Sequence, residues 1–284
     1  MRKSLCLIVN LAASCYLHAH SDPRGDVHPQ VFVEGNSFVI YFSNNDSVGI
    51  YQRTAWKMNF ASDGKMILPR HRIPPEQRDL WERRLAEEAV WKVAPLPAGA
   101  QKATRAILEE HVDGKHRTYP VPMAPNDAWH SENVCRAGNE VGFAWAELQM
   151  NSEADVLLKF SSFSLKSFIP GTTVEIGKPA TIYYNPRVSN PVWAAKKWWI
   201  AWVRARPGDE NKDWSQIVWQ TVLTSIEPIT GKCVHEVLPE WSHWNTSLSM
   251  KTVGGWLCAA WHASADGSYP GRARVVTAFK KLPE

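Results

Sequence analysis

The chain has 284 residues, 44% of them hydrophobic, and fifteen tryptophans, which is ample material for a core and excludes a disordered polypeptide. Its formal net charge of +4 falls to about +2 once Arg2 and Lys3 are set aside, too near neutrality for general nucleic-acid binding. No apolar run reaches the roughly 18 residues that a membrane-spanning helix needs.

The N-terminus reads as an export signal. Arg2 and Lys3 precede the mostly apolar run Leu5 to Leu17, and Leu17-His18-Ala19 offers a small-residue cleavage site. Residues 1–19 are therefore expected to be a signal peptide, and residues 20–284 a single secreted or periplasmic domain. Lipidation at Cys15, after Ala12-Ala13-Ser14, is the alternative. Cys135, Cys233 and Cys258 are left in the mature chain, an odd and widely spaced set. It allows one disulfide plus a free thiol, implies no disulfide framework, and has no paired spacing that suggests zinc.

Residues 20 to 27 are a polar lead-in. His28 to Val33 then reads as a strand, Gly35-Asn36 as a turn and Ser37 to Phe42 as the next strand. Asn44-Asn45-Asp46 breaks the chain, Ile50 to Phe60 is the third strand, and Ser62-Asp63-Gly64 turns into Lys65 to Leu68. Four antiparallel strands in about 50 residues make one propeller blade.

The second unit is irregular. Pro75 to Ala89 opens with proline and spaces Trp81, Leu85 and Ala89 four apart, which predicts an amphipathic helical insertion. Trp91 to Val93 and Thr104 to Glu109 are blade strands, with Val112-Asp113-Gly114-Lys115 as the last turn.

In the third unit His130, Val134 and Gly138-Asn139 repeat the layout of His28, Val31 and Gly35-Asn36. Val141 to Leu148, Val156 to Leu165 and Thr172 to Ile176 follow as strands, with Pro170-Gly171 as a turn. The fourth unit has a strand near Val192, then Trp198 to Val203, the hairpin Arg206-Pro207-Gly208-Asp209, Gln216 to Ile226 and Cys233 to Leu238. The fifth has Leu248 to Val253, Trp256 to Trp261 and Ala273 to Phe279. It is one strand short, and residues 20 to 27 could supply the missing outer strand, with Pro23 against it.

A small or branched apolar residue followed by an aromatic recurs as Ile40-Tyr41, Val90-Trp91, Ala144-Trp145, Ala201-Trp202 and Ala260-Trp261. The aromatics are 50, 54, 57 and 59 residues apart. A repeat of about that length, each unit holding several strands, predicts an all-β, five-bladed β-propeller of four-stranded antiparallel blades.

The His28-Pro29-Gln30-Val31 opening, the Gly35-Asn36 turn, the aromatic ending strand two, and the Asp63-Gly64 and Asp113-Gly114 turns resemble secreted bacterial propellers of the sialidase-like, bacterial-neuraminidase-repeat (BNR) kind. The resemblance covers most of residues 27 to 280 as a repeat pattern. It implies a propeller and points toward carbohydrate. Ser62-Asp63-Gly64 lacks the intervening residue of an Asp-box, and the sialidase arginine triad does not map onto the chain.

The starts of the innermost strands line a propeller's channel entrance. They hold Asp26 and His28 in the first unit, Asp127, Trp129 and His130 in the third, and Trp241, His243, Trp244 and Asn245 at the fifth. Asp26 and Asp127 could flank a glycosidic bond as the two carboxylates of a glycoside hydrolase. His28 or His130 could instead abstract the proton that a polysaccharide lyase removes. Strand-end capping accounts for the same Asp and His residues without any ligand.

Trp129, Trp241 and Trp244 suit stacking on sugar rings, with packing between blades as the alternative. Trp91, Trp145, Trp202 and Trp261 are expected to pack between blades. A metal held by His28, His130 and His243 lacks any short His-x-His spacing, so no metal or cofactor is expected. Lys196-Lys197, Arg204 and Arg206 read as solvated charges, with a role in holding an acidic sugar as the alternative. The chain reads as a secreted monomer that binds a carbohydrate or similar ligand at the channel mouth. Hydrolase or lyase activity and a non-catalytic protein-interaction scaffold are the alternatives.

Overall fold

The computed structural model describes residues 24–44, 54–74, 76–77, 91–95, 106–112, 115–121, 133–148, 156–164, 166, 173–178, 187–210, 212, 216–242, 247–264 and 272–283. The signal peptide, Cys15, most of the expected helix (Trp81, Leu85 and Ala89 included) and the Asp113-Gly114 and Pro170-Gly171 turns lie outside the described residues. Within them the fold is all-β, and Glu76 and Gln77 alone are α-helical.

The strands follow the repeats. The first unit holds β1 (Arg24–Glu34), β2 (Ser37–Asn44), β3 (Thr54–Ala61) and β4 (Met66–Arg72). The second holds β5 (Trp91–Pro95), β6 (Ala106–Val112) and β7 (Lys115–Val121). The third holds β8 (Asn133–Ala137), β9 (Glu140–Leu148), β10 (Val156–Ser164) and β11 (Val174–Gly177). The fourth holds β12 (Val192–Ala194), β13 (Lys197–Ala205), β14 (Trp219–Ile226) and β15 (Cys233–Ser242). The fifth holds β16 (Leu248–Val253), β17 (Trp256–Ser264) and β18 (Arg272–Lys281).

Neighbours within each unit pair antiparallel, in sequence order. The fifth unit is completed from the other end of the chain. Arg24 and Gly25 pair in parallel with Arg272 and Ala273, so β16 to β18 and β1 to β4 form one seven-stranded sheet. The expected outer strand from the lead-in is therefore two residues long. Gly25 is buried at this seam with φ +95, and a Cβ there would lie 2.2 Å from the Ala273 carbonyl oxygen. Only glycine fits.

Several strands run further than expected, β15 among them: it continues past Leu238 to Ser242, so Trp241 lies in the outermost strand of the fourth unit and not at the start of the fifth unit's innermost strand. β1 begins at Arg24 and not at His28, and β4 continues past Pro69 to Arg72. β4 is the outermost strand of its sheet, where a proline breaks no ladder bond on its open side.

The sheets stack face to face. Val31, Phe38, Ile40 and Phe60 of the first unit meet Cys258 and Ala260 of the fifth. Trp199, Ala201 and Leu223 of the fourth meet Met250, Leu257 and Trp261 on the other side of that unit. Trp198, Ile200 and Trp202 meet Ala144, Leu158 and Phe160 of the third. The second strands are thus buried on both faces, which is why they read as continuous apolar runs.

Large rings are matched with small partners, as close packing requires. A Cβ on Gly142 would lie 2.6 Å from the Trp198 ring, and one on Gly177 2.8 Å from Trp202. Tyr41, Trp145, Trp202 and Trp261 are buried, as expected of the recurring aromatics. Trp202 is further fixed by donating from Nε1 to Thr224 Oγ1 at 2.8 Å, which in turn lies 2.9 Å from His235 Nδ1. Burial, then the nearby Arg204 charge, lowers the His235 pKa. The three described cysteines are free thiols, and burial pushes that of Cys258 far up.

Candidate functional site

The sheets have two chemically different ends. Their first strands run in the same direction, since His28 and Val31 of β1 face Ser247 and Ser249 at and just inside the start of β16. One end therefore collects the hairpins between first and second strands: Gly35-Asn36, Gly138-Asn139, Ala195-Lys196 and Gly254-Gly255. Each loop has two residues with a positive φ at the first, as the twist of a hairpin demands. This hairpin end bears an open depression of about 310 Å³, lined by Ala194, Ala195, Thr252 to Gly255, Leu282 and Pro283. It contains no ionisable side chain.

The opposite, strand-start end carries the polar chemistry. Asp26, paired with Asn44, opens the antiparallel part of β1. Its carboxylate accepts from Asn44 Nδ2 at 2.7 Å, from Arg70 Nε at 2.9 Å and from a terminal Arg70 nitrogen at 2.8 Å. The Arg70 guanidinium lies 3.7 Å from the centroid of the Trp56 ring. Sandwiched between an aromatic face and a bidentate carboxylate, Arg70 holds Asp26 as a fixed charge.

His28 stands on a β-bulge. The β1–β2 register shifts between Val27 and Gln30, and His28 takes φ +53, a conformation uncommon for a non-glycine residue. The bulge sets Nδ1 3.0 Å from Ser247 Oγ and turns the ring edge-on to the buried His262, centroids 6.2 Å apart. Strain of this kind concentrates where a side chain must be aimed.

A second distortion occurs at the same end of the fourth unit. The β14–β15 register shifts between Gln220 and Val222, Glu240 takes φ +69, and the next residue, Trp241, is 39% exposed. Glu240 is bound to Arg274 at 2.8 Å. Beyond β13, the carboxylate of Asp209 is almost wholly buried between Arg206 and Lys212 and closes the turn. Lys212 is the main cause of its lowered pKa, with burial opposing and the Val218 amide and Arg206 adding to the lowering.

Of the residues singled out in the sequence, Asp26, His28 and Trp241 thus sit at one end of their sheets. Asp127, Trp129, His130, His243, Trp244 and Asn245 lie outside the described residues. Among the described residues no cluster of His, Cys, Asp or Glu could hold a metal. Sequence reasoning passed over Arg70, Ser247 and His262. Arg70 follows a proline that reads as the end of a strand, and Ser247 follows a loop and shows no periodicity.

What these observations define is an all-β protein of stacked antiparallel meanders, distorted at its strand-start end by two non-glycine residues with positive φ. No protein-family model matches the chain, and no curated protein does. Among solved structures it is similar to the GH43_1 enzyme from Xanthomonas citri, at 12% identity over 94% of this chain and 92% of that one, TM-score 0.39. It is similar also to a GH43 β-xylosidase/α-arabinofuranosidase from a compost microbial metagenome, at 10% identity over 92% and 93%, TM-score 0.41. A third is an α-L-arabinofuranosidase from Podospora anserina, at 12% identity over 93% of each chain, TM-score 0.36. Likeness at that level does not assign an activity, and function is argued below from the chain's own residues.

Proposed function

We propose that the chain is a secreted, monomeric five-bladed β-propeller that binds a carbohydrate at its strand-start end. The observation that carries this reading is Trp241, an exposed indole raised by a distorted strand at the same end as the Asp26–Arg70 pair and the bulged His28. An exposed indole stacks on the apolar face of a sugar, while carboxylate and imidazole groups suit its hydroxyls. The repeat-level resemblance to sialidase-like propellers points the same way. Asp127, Trp129, His130, His243, Trp244 and Asn245 belong to the proposed surface by their place in the repeats, and residues 1–19 to an export signal.

The test is a glycan array with the intact protein and with Trp241→Ala. Loss of about 1–3 kcal/mol of stacking lowers affinity roughly 5- to 150-fold while the thermal midpoint stays put. Unchanged glycan binding in the variant rejects this surface.

Turnover is the second reading, and it is His28 that favours it. A strained imidazole held on a serine hydroxyl can take a proton, as a lyase requires, while the tethered Asp26 supplies a fixed negative charge. His28→Gln abolishing polysaccharide degradation, with glycan binding retained, separates this reading from simple binding.

A further inference from the structure

We infer that Arg187 is the receptor for an anionic group, a carboxylate or a sulfate ester, on the ligand of the strand-start end. The inference rests on the carbohydrate reading and narrows it to acidic saccharides.

Arg187 begins the segment that leads into β12. Its carbonyl accepts from Val203 at 3.1 Å, and the next residue, Val188, bridges antiparallel to Trp202. Arg187 is therefore opposite Val203, on the sheet face that packs against the fifth unit. Leu248 of β16 packs there against Val203, Ala205, Ile217 and Trp219. Ser247, one residue before Leu248, is the partner of His28. On the other side, Asn133 at the start of β8 donates to the Val188 carbonyl at 3.1 Å. Arg187 thus stands between the His28–Ser247 pair and Asn133, among the starts of four consecutive units.

Its Nε is buried with no hydrogen-bond partner, and no carboxylate among the described residues pairs with it. A guanidinium N–H taken out of water without an acceptor is costly, and native proteins rarely leave one so. Acids at this end are committed elsewhere: Asp26 to Arg70, Asp209 to Arg206 and Lys212, Glu240 to Arg274, and the exposed Glu210 to the Gly208 amide. Arg187 is half-buried, and its unpartnered Nε belongs to a planar fork whose natural complement is a carboxylate or sulfate. Arg204 also has a buried, unpartnered Nε, but it lies on the other sheet face, beside Trp202, with Gln220 at 3.5 Å and His235 near. Arg204 thus already has a polar neighbour, which Arg187 lacks among the described residues.

The experiment is calorimetric titration of the intact protein with galactose, galacturonate, galactose 6-sulfate and inorganic sulfate. Wild type, Arg187→Gln, Arg187→Lys and the hairpin-end control Lys196→Gln are compared, with thermal midpoints confirming folding. An anionic sugar is expected to bind roughly 10- to 100-fold more tightly than galactose, and whether the carboxylate or the sulfate gains identifies the group. Arg187→Gln removes that gain, Arg187→Lys keeps part of it, and Lys196→Gln leaves it whole.

Measurable galactose binding with no gain for either acid in the wild type overturns the inference and leaves the saccharide reading standing. So does a gain that Arg187→Gln does not diminish. Sulfate binding that depends on Arg187, with no sugar bound, keeps the anion site and overturns the saccharide reading. No binding by any of the four ligands overturns both, and leaves the buried Nε to a water. Should Arg187→Gln fail to fold, the wild-type comparison with Arg187→Lys still decides.

Discussion

The two ends of the sheets are built from the same strands and differ in almost everything else. At the hairpin end four two-residue turns all begin with a positive φ, two of them carrying it at both residues, and the depression between two of the turns is lined without an ionisable side chain. At the other end the ladder slips at His28 and before Trp241, and charged groups lie around both places. Register also shifts between β3 and β4 and between β10 and β11, but among the described residues only His28 and Glu240 are non-glycine residues with positive φ outside a hairpin turn, and strain of that kind at one end marks where the fold yields to another demand. The difference teaches where to look for a ligand, independently of any relative.

The comparison can be broken most forcefully at the seam. Gly25→Ala places a methyl group on the Ala273 carbonyl and forces a non-glycine residue to φ +95. The expected loss is about 3 kcal/mol, a fall of roughly 6–12 °C in melting temperature by calorimetry. A neutral result would mean that residues 24–25 do not close the sheet.

The hairpin end can be improved without touching function. Ala195 and Lys196 both carry positive φ, values that Asn-Gly adopts at less cost. Ala195→Asn with Lys196→Gly is expected to add about 1–2 kcal/mol, read as a raised denaturation midpoint, with glycan binding unchanged. A change in binding would show that the ends are not independent.

At the strand-start end, Asp26→Asn removes the charge that holds Arg70. Arg70 is 40% exposed, so solvent screening limits the expected loss to about 1 kcal/mol in urea unfolding, while ligand affinity falls as well. The smallest effect is expected with pH. The folded-state pKa of Asp209 lies below the ordinary 3.8, chiefly because of Lys212. Its stabilisation is thus complete above that ordinary value and disappears as pH falls through the lowered one. The stability difference between wild type and Asp209→Asn should be constant at neutral pH and close below about pH 4. A difference that persists in acid would assign Asp209 a role other than its ion pairs.

Much of the framework was legible. Second strands announce themselves because burial on both faces demands unbroken apolar runs, and the Gly-Asn and Gly-Gly turns because few other pairs tolerate their φ values. The seam was half legible: the missing strand could be counted, but two residues carry too little pattern to locate it. The site was legible only as position. Asp26 and His28 stand out because they precede a strand, yet nothing in His28-Pro29 signals a left-handed histidine within an extended β1. Arg70 and Arg187 were hidden for opposite reasons. Arg70 follows a proline that an open-edged strand tolerates. Arg187 belongs to a segment held by one bridge and two backbone bonds to β13, too few residues to show a period.

The parallel bridge between residues 24–25 and 272–273 has a consequence for biosynthesis. The partner of β1 is β18, four units further along the chain, so the sheet stays open at this seam until β18 has been made. Until then β1 and β17 each present a bare ladder to the surroundings, the kind of surface that recruits strands from other nascent chains. A contact between such distant parts of the chain is the slowest kind to form, so closure of this seam is expected to come late in folding.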